Sequence, residues 1–80
     1  MPEPVTMYTT TWCAYCIRLK HSMRRAGIAF TEINIETDPE AAALVERING
    51  GNQTVPTVVL PDGTGMTNPS VRDILGALGS

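Results

Sequence analysis

Apolar and polar positions along the chain fall into short β-type runs separated by segments with helical spacing. Val5-Thr6-Met7-Tyr8-Thr9 is rich in β-formers and follows Pro4, which predicts a first strand. Cys16, Leu19, Met23 and Ala26 then recur three, four and three positions apart, the face of a helix that Gly27 ends. Residues 29–35 (AFTEINI) predict a second strand, buried between layers. The next helix opens at Thr37-Asp38-Pro39-Glu40. Either Asp38 caps it with Pro39 in the first turn, or Thr37 and Glu40 form a capping box. Ala41, Leu44, Val45 and Ile48 give it a core face, and Gly50-Gly51 close it.

The second half predicts a hairpin and a last helix. Val55-Pro56 leads into the β-rich Thr57-Val58-Val59-Leu60, and Pro61-Asp62-Gly63 is a turn into a return strand over residues 64–67. Asn68-Pro69-Ser70 reads as a cap-plus-proline start, after which Val71, Ile74, Leu75 and Leu78 keep helical spacing to Gly79. The order is βαβαββα. A βαβ unit needs parallel strands and the hairpin adds antiparallel ones, so the expected fold is α/β with a mixed four-stranded sheet and helices on both faces.

Composition narrows the functional classes. The 80 residues suit one domain, 1–80, and a hydrophobic share of 42% with 18% charged residues suits a compact core. Six Lys+Arg against eight Asp+Glu leave a net charge of −2, which argues against nucleic acid or an anionic membrane as partner. The start MPEPVTMYTT carries neither a basic n-region nor an apolar h-region, and no run is long enough to span a membrane. The expectation is a cytoplasmic monomer, in a compartment where thiols are kept reduced.

That expectation gives weight to Thr9-Thr10-Thr11-Trp12-Cys13-Ala14-Tyr15-Cys16, which holds both cysteines of the chain. The motif lies where strand one ends and helix one begins. Free N–H groups and the positive end of the helix dipole favour an anion there, so Cys13 is expected to have a lowered pKa. Cys16 lies nearly one turn on, on the apolar face, and is expected to be the more buried and less reactive. A shift from ~8.5 to ~6.5 raises the thiolate fraction roughly tenfold, but a Brønsted coefficient of ~0.45 takes back about a factor of eight in nucleophilicity. The larger gain comes when Cys13 leaves a mixed disulfide as a low-pKa thiolate.

Other chemistries compete for the same pair. A zinc site needs about four ligands, and beyond the two cysteines the chain offers only His21, on a helix face shared with Arg18 and Arg25 that reads as solvated surface. A metal or cluster shared between two chains needs fewer ligands from each. A structural disulfide conflicts with a reducing compartment. Four of the six Lys+Arg (Arg18, Lys20, Arg24, Arg25) sit in helix one, where they either face an acidic partner or, as with Arg24 and Arg25, complement the helix C-terminus.

With C-x-x-C at the first helix and Thr54-Val55-Pro56 before the third strand, the whole chain resembles a glutaredoxin, within the thioredoxin fold. Trp12-Cys13-x-Tyr15-Cys16, the run Asn49-Gly50-Gly51-Asn52-x-Thr54-Val55-Pro56-Thr57, and Asp62-Gly63 followed by Thr67-Asn68-Pro69-Ser70 look most like the mycoredoxins, actinobacterial redoxins that work with mycothiol. The departures from other branches agree. Glutathione-dependent relatives usually carry a lysine where this chain has Thr10, and Gly-Gly plus an acid where it has Thr67-Asn68-Pro69-Ser70. Thioredoxins have Gly-Pro between the cysteines and a buried acid on the preceding strand; residues 5–11 contain none. Redoxins that feed ribonucleotide reductase usually end the inter-cysteine pair in Gln, and carry an aromatic-glycine segment that is missing here.

The resemblance implies a mechanism without a bound cofactor or metal, in which mycothiol is the co-substrate. Cys13 attacks the mycothiol sulfur of an S-mycothiolated protein, a second mycothiol frees Cys13, and a separate flavoenzyme reduces mycothiol's disulfide. Cys16 can instead close on Cys13. It also implies a cis Val55–Pro56 bond that turns the Val55 backbone toward Cys13, with Thr54 in the same loop. Trp12 and Tyr15 flank the thiol as possible groove walls, and Asn68 and Ser70 lie where a polar ligand group would be received. The alternatives are a dithiol reductant served by another thiol or by thioredoxin reductase, including a donor to ribonucleotide reductase, and an iron-sulfur carrier.

Overall fold

In the computed structural model, which describes residues 4–79, the elements are β1 (Val5–Thr9), α1 (Ala14–Arg25), β2 (Phe30–Asn34), α2 (Pro39–Ile48), β3 (Thr57–Val59), β4 (Gly65–Thr67) and α3 (Val71–Ala77). The order is the one expected. Residues 1–3, part of the expected leaderless start, and Ser80 lie outside the described residues.

The strands form one mixed sheet in the order β2-β1-β3-β4. β1 pairs in parallel with β2, Val5 opposite Phe30 through Thr9 opposite Asn34, and α1 is the crossover that a parallel pair requires. β3 runs antiparallel to β1 with Val58 opposite Met7, and β4 antiparallel to β3 with Met66 opposite Val58. Flanked on both sides, β1 buries Val5, Met7, Tyr8 and Thr9.

β2 departs from expectation, for it is an edge strand and not a layer-buried one. Thr31 and Glu32 are exposed, because β3 takes the other side of β1 and leaves the outer side of β2 open. A charged, polar edge discourages further strand pairing.

Alternation along β1 sends successive side chains to opposite faces. One face joins Val5, Met7 and Val58 to Cys16, Leu19 and Met23 of α1 and Ile74 of α3. The other joins Tyr8 to Ile35 and to Ala41 and Val45 of α2. Helices thus cover both faces.

The helix ends follow local chemistry. Ala26, expected on the core face of α1, is instead its exposed C-cap. Gly27 turns the chain at φ +74°, its N–H bonds to Arg24 O and that of Ile28 to Met23 O, so Ile28 takes the core place in a Schellman closure. Of the two starts open for α2, the structure has Asp38 as cap, its Oδ1 3.1 Å from the Ala41 N–H, with Pro39 in the first turn. For α3 the expected Asn68-Pro69 start is replaced by a cap at Ser70, reciprocated by Asp73. Behind α2, Gly65 is required by close approach, since a Cβ there would lie 2.9 Å from Ile48 Cγ2.

Candidate active site

Cys13 is the N-cap of α1, and its Sγ accepts the Cys16 N–H at 3.0 Å. The two cysteines form a disulfide with Cα atoms 5.1 Å apart. An amide at a helix start aimed at this sulfur favours thiolate over thiol once the disulfide opens. Cys16 is 2% exposed and packs in the core face, while Cys13 is half-buried at its margin. The loop before Cys13 is tied to the end of β2. Thr11 N–H donates to Glu36 Oε1 at 2.6 Å, and Asn34 Nδ2 donates to Thr11 Oγ1 at 3.1 Å. The Thr11 N–H holds the Glu36 carboxyl below its ordinary range.

The Val55–Pro56 bond is cis. Thr54 is exposed, Val55 half-buried and Pro56 buried. One residue that entered the sequence reading only as part of a family run, with no role of its own, positions this loop. Asn49, the C-cap of α2, directs Nδ2 at Val45 O (3.0 Å), Thr54 O (3.4 Å) and Thr57 Oγ1 (3.0 Å), and its Oδ1 accepts from Thr67 Oγ1. Thr57 Oγ1 donates in turn to Thr54 O at 2.8 Å. α2, β3 and β4 are thereby joined around the residues that precede Pro56. The sequence did hold a signal, an Asn in the αC-cap position before Gly-Gly, but its partners lie up to 18 residues away.

A groove of about 380 Å³ runs between α1 and α3, lined among others by Tyr15, Arg18, Ser22, Pro56, Asn68 and Ser70. Of the residues expected to wall or receive a ligand, Tyr15, Pro56, Asn68 and Ser70 therefore come together. Trp12, 87% exposed, Thr54 and Val55 are not among its walls. The Arg18 guanidinium lies 5.5 Å from the centre of the Tyr15 ring, at an exposed position that also lines this groove. His21 is exposed, as expected.

Nearby, Thr9 Oγ1 donates to Glu32 Oε2 at 2.8 Å and Lys20 Nζ pairs with Glu32 at 3.1 Å. Burial pushes the Glu32 carboxyl up, but the Thr9 hydroxyl and the Lys20 ammonium outweigh it and hold the group below its usual range. Burial, with Asp38 nearby, raises the Tyr8 hydroxyl on the opposite face. Among the described residues no three His, Cys, Asp or Glu side chains cluster as metal ligands, and no helix is long and apolar enough to cross a membrane.

Comparison with known proteins accords with this geometry. The glutaredoxin family model matches residues 5–64. A Mycobacterium tuberculosis protein whose name places it among the glutaredoxins is 47% identical over 74 residues, 92% of this chain and 88% of that one. Mycoredoxin 1 of Corynebacterium glutamicum is 38% identical over 74 residues, 92% of this chain and 91% of its own. The crystal structure of a glutaredoxin from Archaeoglobus fulgidus superposes with a TM-score of 0.77 at 26% identity, covering 100% of this chain and 89% of that one. With a capped cysteine pair in a thioredoxin-type fold and a family match spanning most of its length, the chain belongs to the glutaredoxin family of thiol-disulfide oxidoreductases.

Proposed function

We propose that this glutaredoxin reduces protein–mycothiol mixed disulfides, with mycothiol as the resolving thiol, as a single-domain monomer in a reducing cytoplasm. The observation that carries the thiol chemistry is the asymmetry of the pair, with Cys13 at the helix start under the Cys16 N–H and Cys16 in the core. The choice of mycothiol is supported by likeness to mycoredoxin 1 and by Thr10 where glutathione users place lysine.

The Cys13 thiolate attacks the mycothiol sulfur of the mixed disulfide. A Cys13–mycothiol disulfide forms, and the substrate sulfur departs as a thiolate that takes up a proton. A second mycothiol thiolate then attacks the mycothiol sulfur on Cys13, giving mycothiol disulfide and free Cys13 thiolate; a separate reductase returns the disulfide to two thiols. Alternatively Cys16 attacks Cys13, releasing mycothiol and forming the disulfide seen here. The low basicity of Cys13 speeds its departure when the second mycothiol resolves the intermediate; when Cys16 closes the ring, mycothiol is the leaving thiolate. Among the described residues none bonds to the Val55 backbone N–H or carbonyl, which leaves both free to pair with an extended ligand beside the thiol. Trp12, Tyr15, Thr54, Val55, Pro56, Asn68 and Ser70 form the proposed substrate-binding surface.

A coupled assay tests this reading. A mycothiolated protein is supplied with mycothiol, its disulfide reductase and the reductase's electron donor, in parallel with glutathione and with thioredoxin reductase alone. Turnover with mycothiol at least tenfold above the other systems is expected; preference for either alternative would overturn the substrate assignment.

A further inference from the structure

The groove between α1 and α3 contains two polar residues, Arg18 and Ser22, to which the proposed exchange assigns no part. Its floor is apolar, with Leu19, Pro56, Pro69 and Val71. Its polar groups are the Arg18 guanidinium, the hydroxyls of Tyr15, Ser22 and Ser70, and the Asn68 amide, and no carboxylate lines it. The acid in the first turn of α3, Asp73, accepts the Ser70 N–H at 3.0 Å in the capping box. Two of its lining residues, Tyr15 and Pro56, belong to the segments that carry the cysteine pair and the cis peptide bond, although neither cysteine is itself a wall.

These features discriminate between ligand classes. A thiol that ends in a free amino acid presents an ammonium and a carboxylate, and the ammonium would find no anion here. Desolvating such a charge without a partner costs binding energy. An uncharged, hydroxyl-rich ring system presents C–H faces to the apolar floor and hydroxyls that both donate and accept. Arg18, Ser22 and Asn68 supply matching donors and acceptors. We infer that Arg18 and Ser22 are specificity-determining residues that hold the hydroxylated rings of the small thiol in the α1–α3 groove while its sulfur reacts at Cys13.

Arg18 is suited to this part because its guanidinium lies over the Tyr15 ring, 5.5 Å from its centre, and a donor held in place loses less freedom on binding. Arg18 is exposed, so its replacement leaves the core untouched. The inference rests on the proposed use of mycothiol, and the experiment separates the two.

Second-order rate constants for resolving a mixed disulfide on Cys13 are measured for the wild type, Arg18→Ala and Ser22→Ala with two thiols, mycothiol and N-acetylcysteine amide, which lacks the rings and adds no carboxylate. The ratio of the two constants reports what the rings contribute. In the wild type the ratio favours mycothiol; Arg18→Ala lowers the ratio about tenfold and Ser22→Ala about threefold, with the loss in KM for mycothiol, in line with a charged and a neutral hydrogen bond. A ratio unchanged by Arg18→Ala, both thiols falling together or neither falling, would overturn the inference while leaving mycothiol as substrate. A wild-type ratio near one would overturn the inference in its own right. Faster resolution by glutathione than by mycothiol would instead refute the function proposed above.

Discussion

Asn49 joins three elements through one amide, so its removal should cost more than an exposed polar residue normally does. Its side chain makes three Nδ2 contacts and accepts one hydroxyl at Oδ1. Two amide hydrogens satisfy two of those contacts at a time, so about three hydrogen bonds are lost in Asn49→Ala, each with a net value of about 1 kcal/mol. Two circumstances hold the sum toward the lower end. Thr57, fully buried, keeps its bond to Thr54 O at 2.8 Å and is not orphaned, and the exposed Thr67 hydroxyl can turn to water. The expected destabilisation is about 2 kcal/mol, or a fall in Tm of roughly 8–16 °C for a domain of this size. Thermal and urea unfolding of the reduced protein measure it. Asn49→Asp sharpens the test, since a carboxylate would face the Val45 and Thr54 carbonyls. It should be less stable than Asn49→Ala at neutral pH and recover as the pH falls through its raised folded-state pKa, with recovery complete near the ~3.9 of a free Asp. A loss under ~0.5 kcal/mol in Asn49→Ala, or an Asn49→Asp as stable as wild type, would refute the hub.

Two further outcomes follow from the geometry. Glu32 is held below its ordinary pKa when folded, so its contribution to stability is present above about pH 4.5 and disappears as the pH falls through the folded-state value; Glu32→Gln should therefore differ from wild type at pH 7, by no more than ~1 kcal/mol for so exposed a pair, and converge with it in urea titrations once the pH lies below that lowered value. In the reduced protein, iodoacetamide should modify Cys13 at least ~10-fold faster than Cys16, with a rate midpoint below the ~8.5 of a free thiol; equal rates by mass spectrometry would remove the basis for assigning them different parts.

Much of this architecture was legible because it is local. Val5-Thr6-Met7-Tyr8-Thr9, the Asp38-Pro39 start and the Pro61-Asp62-Gly63 turn are specified by neighbouring residues, and each appears where its chemistry puts it. The asymmetry of Cys13 and Cys16 was legible too, because helix position and apolar spacing both bear on it. Part of what failed depends on distant partners, and part on competition between neighbouring signals. The exposure of Thr31 and Glu32 follows from sheet order, which no single strand encodes. The cap of α3 was misplaced although Ser70-Val71-Arg72-Asp73 carries a capping-box spacing, because Asn68-Pro69 offers a competing start. For Arg18 the sequence offered an exposed face or an acidic partner; that it lines a groove depends on α3 packing beside α1.

The central claim is that Cys13 alone performs the exchange with mycothiol and Cys16 is dispensable to it. The direct measurement is the coupled demycothiolation rate of Cys13→Ser and Cys16→Ser beside the wild type, with mycothiol and its disulfide reductase present. Cys13→Ser should be inactive and Cys16→Ser should retain activity. Loss of activity in both variants, with the wild type turning over through thioredoxin reductase, would contradict the monothiol mechanism and the choice of mycothiol together.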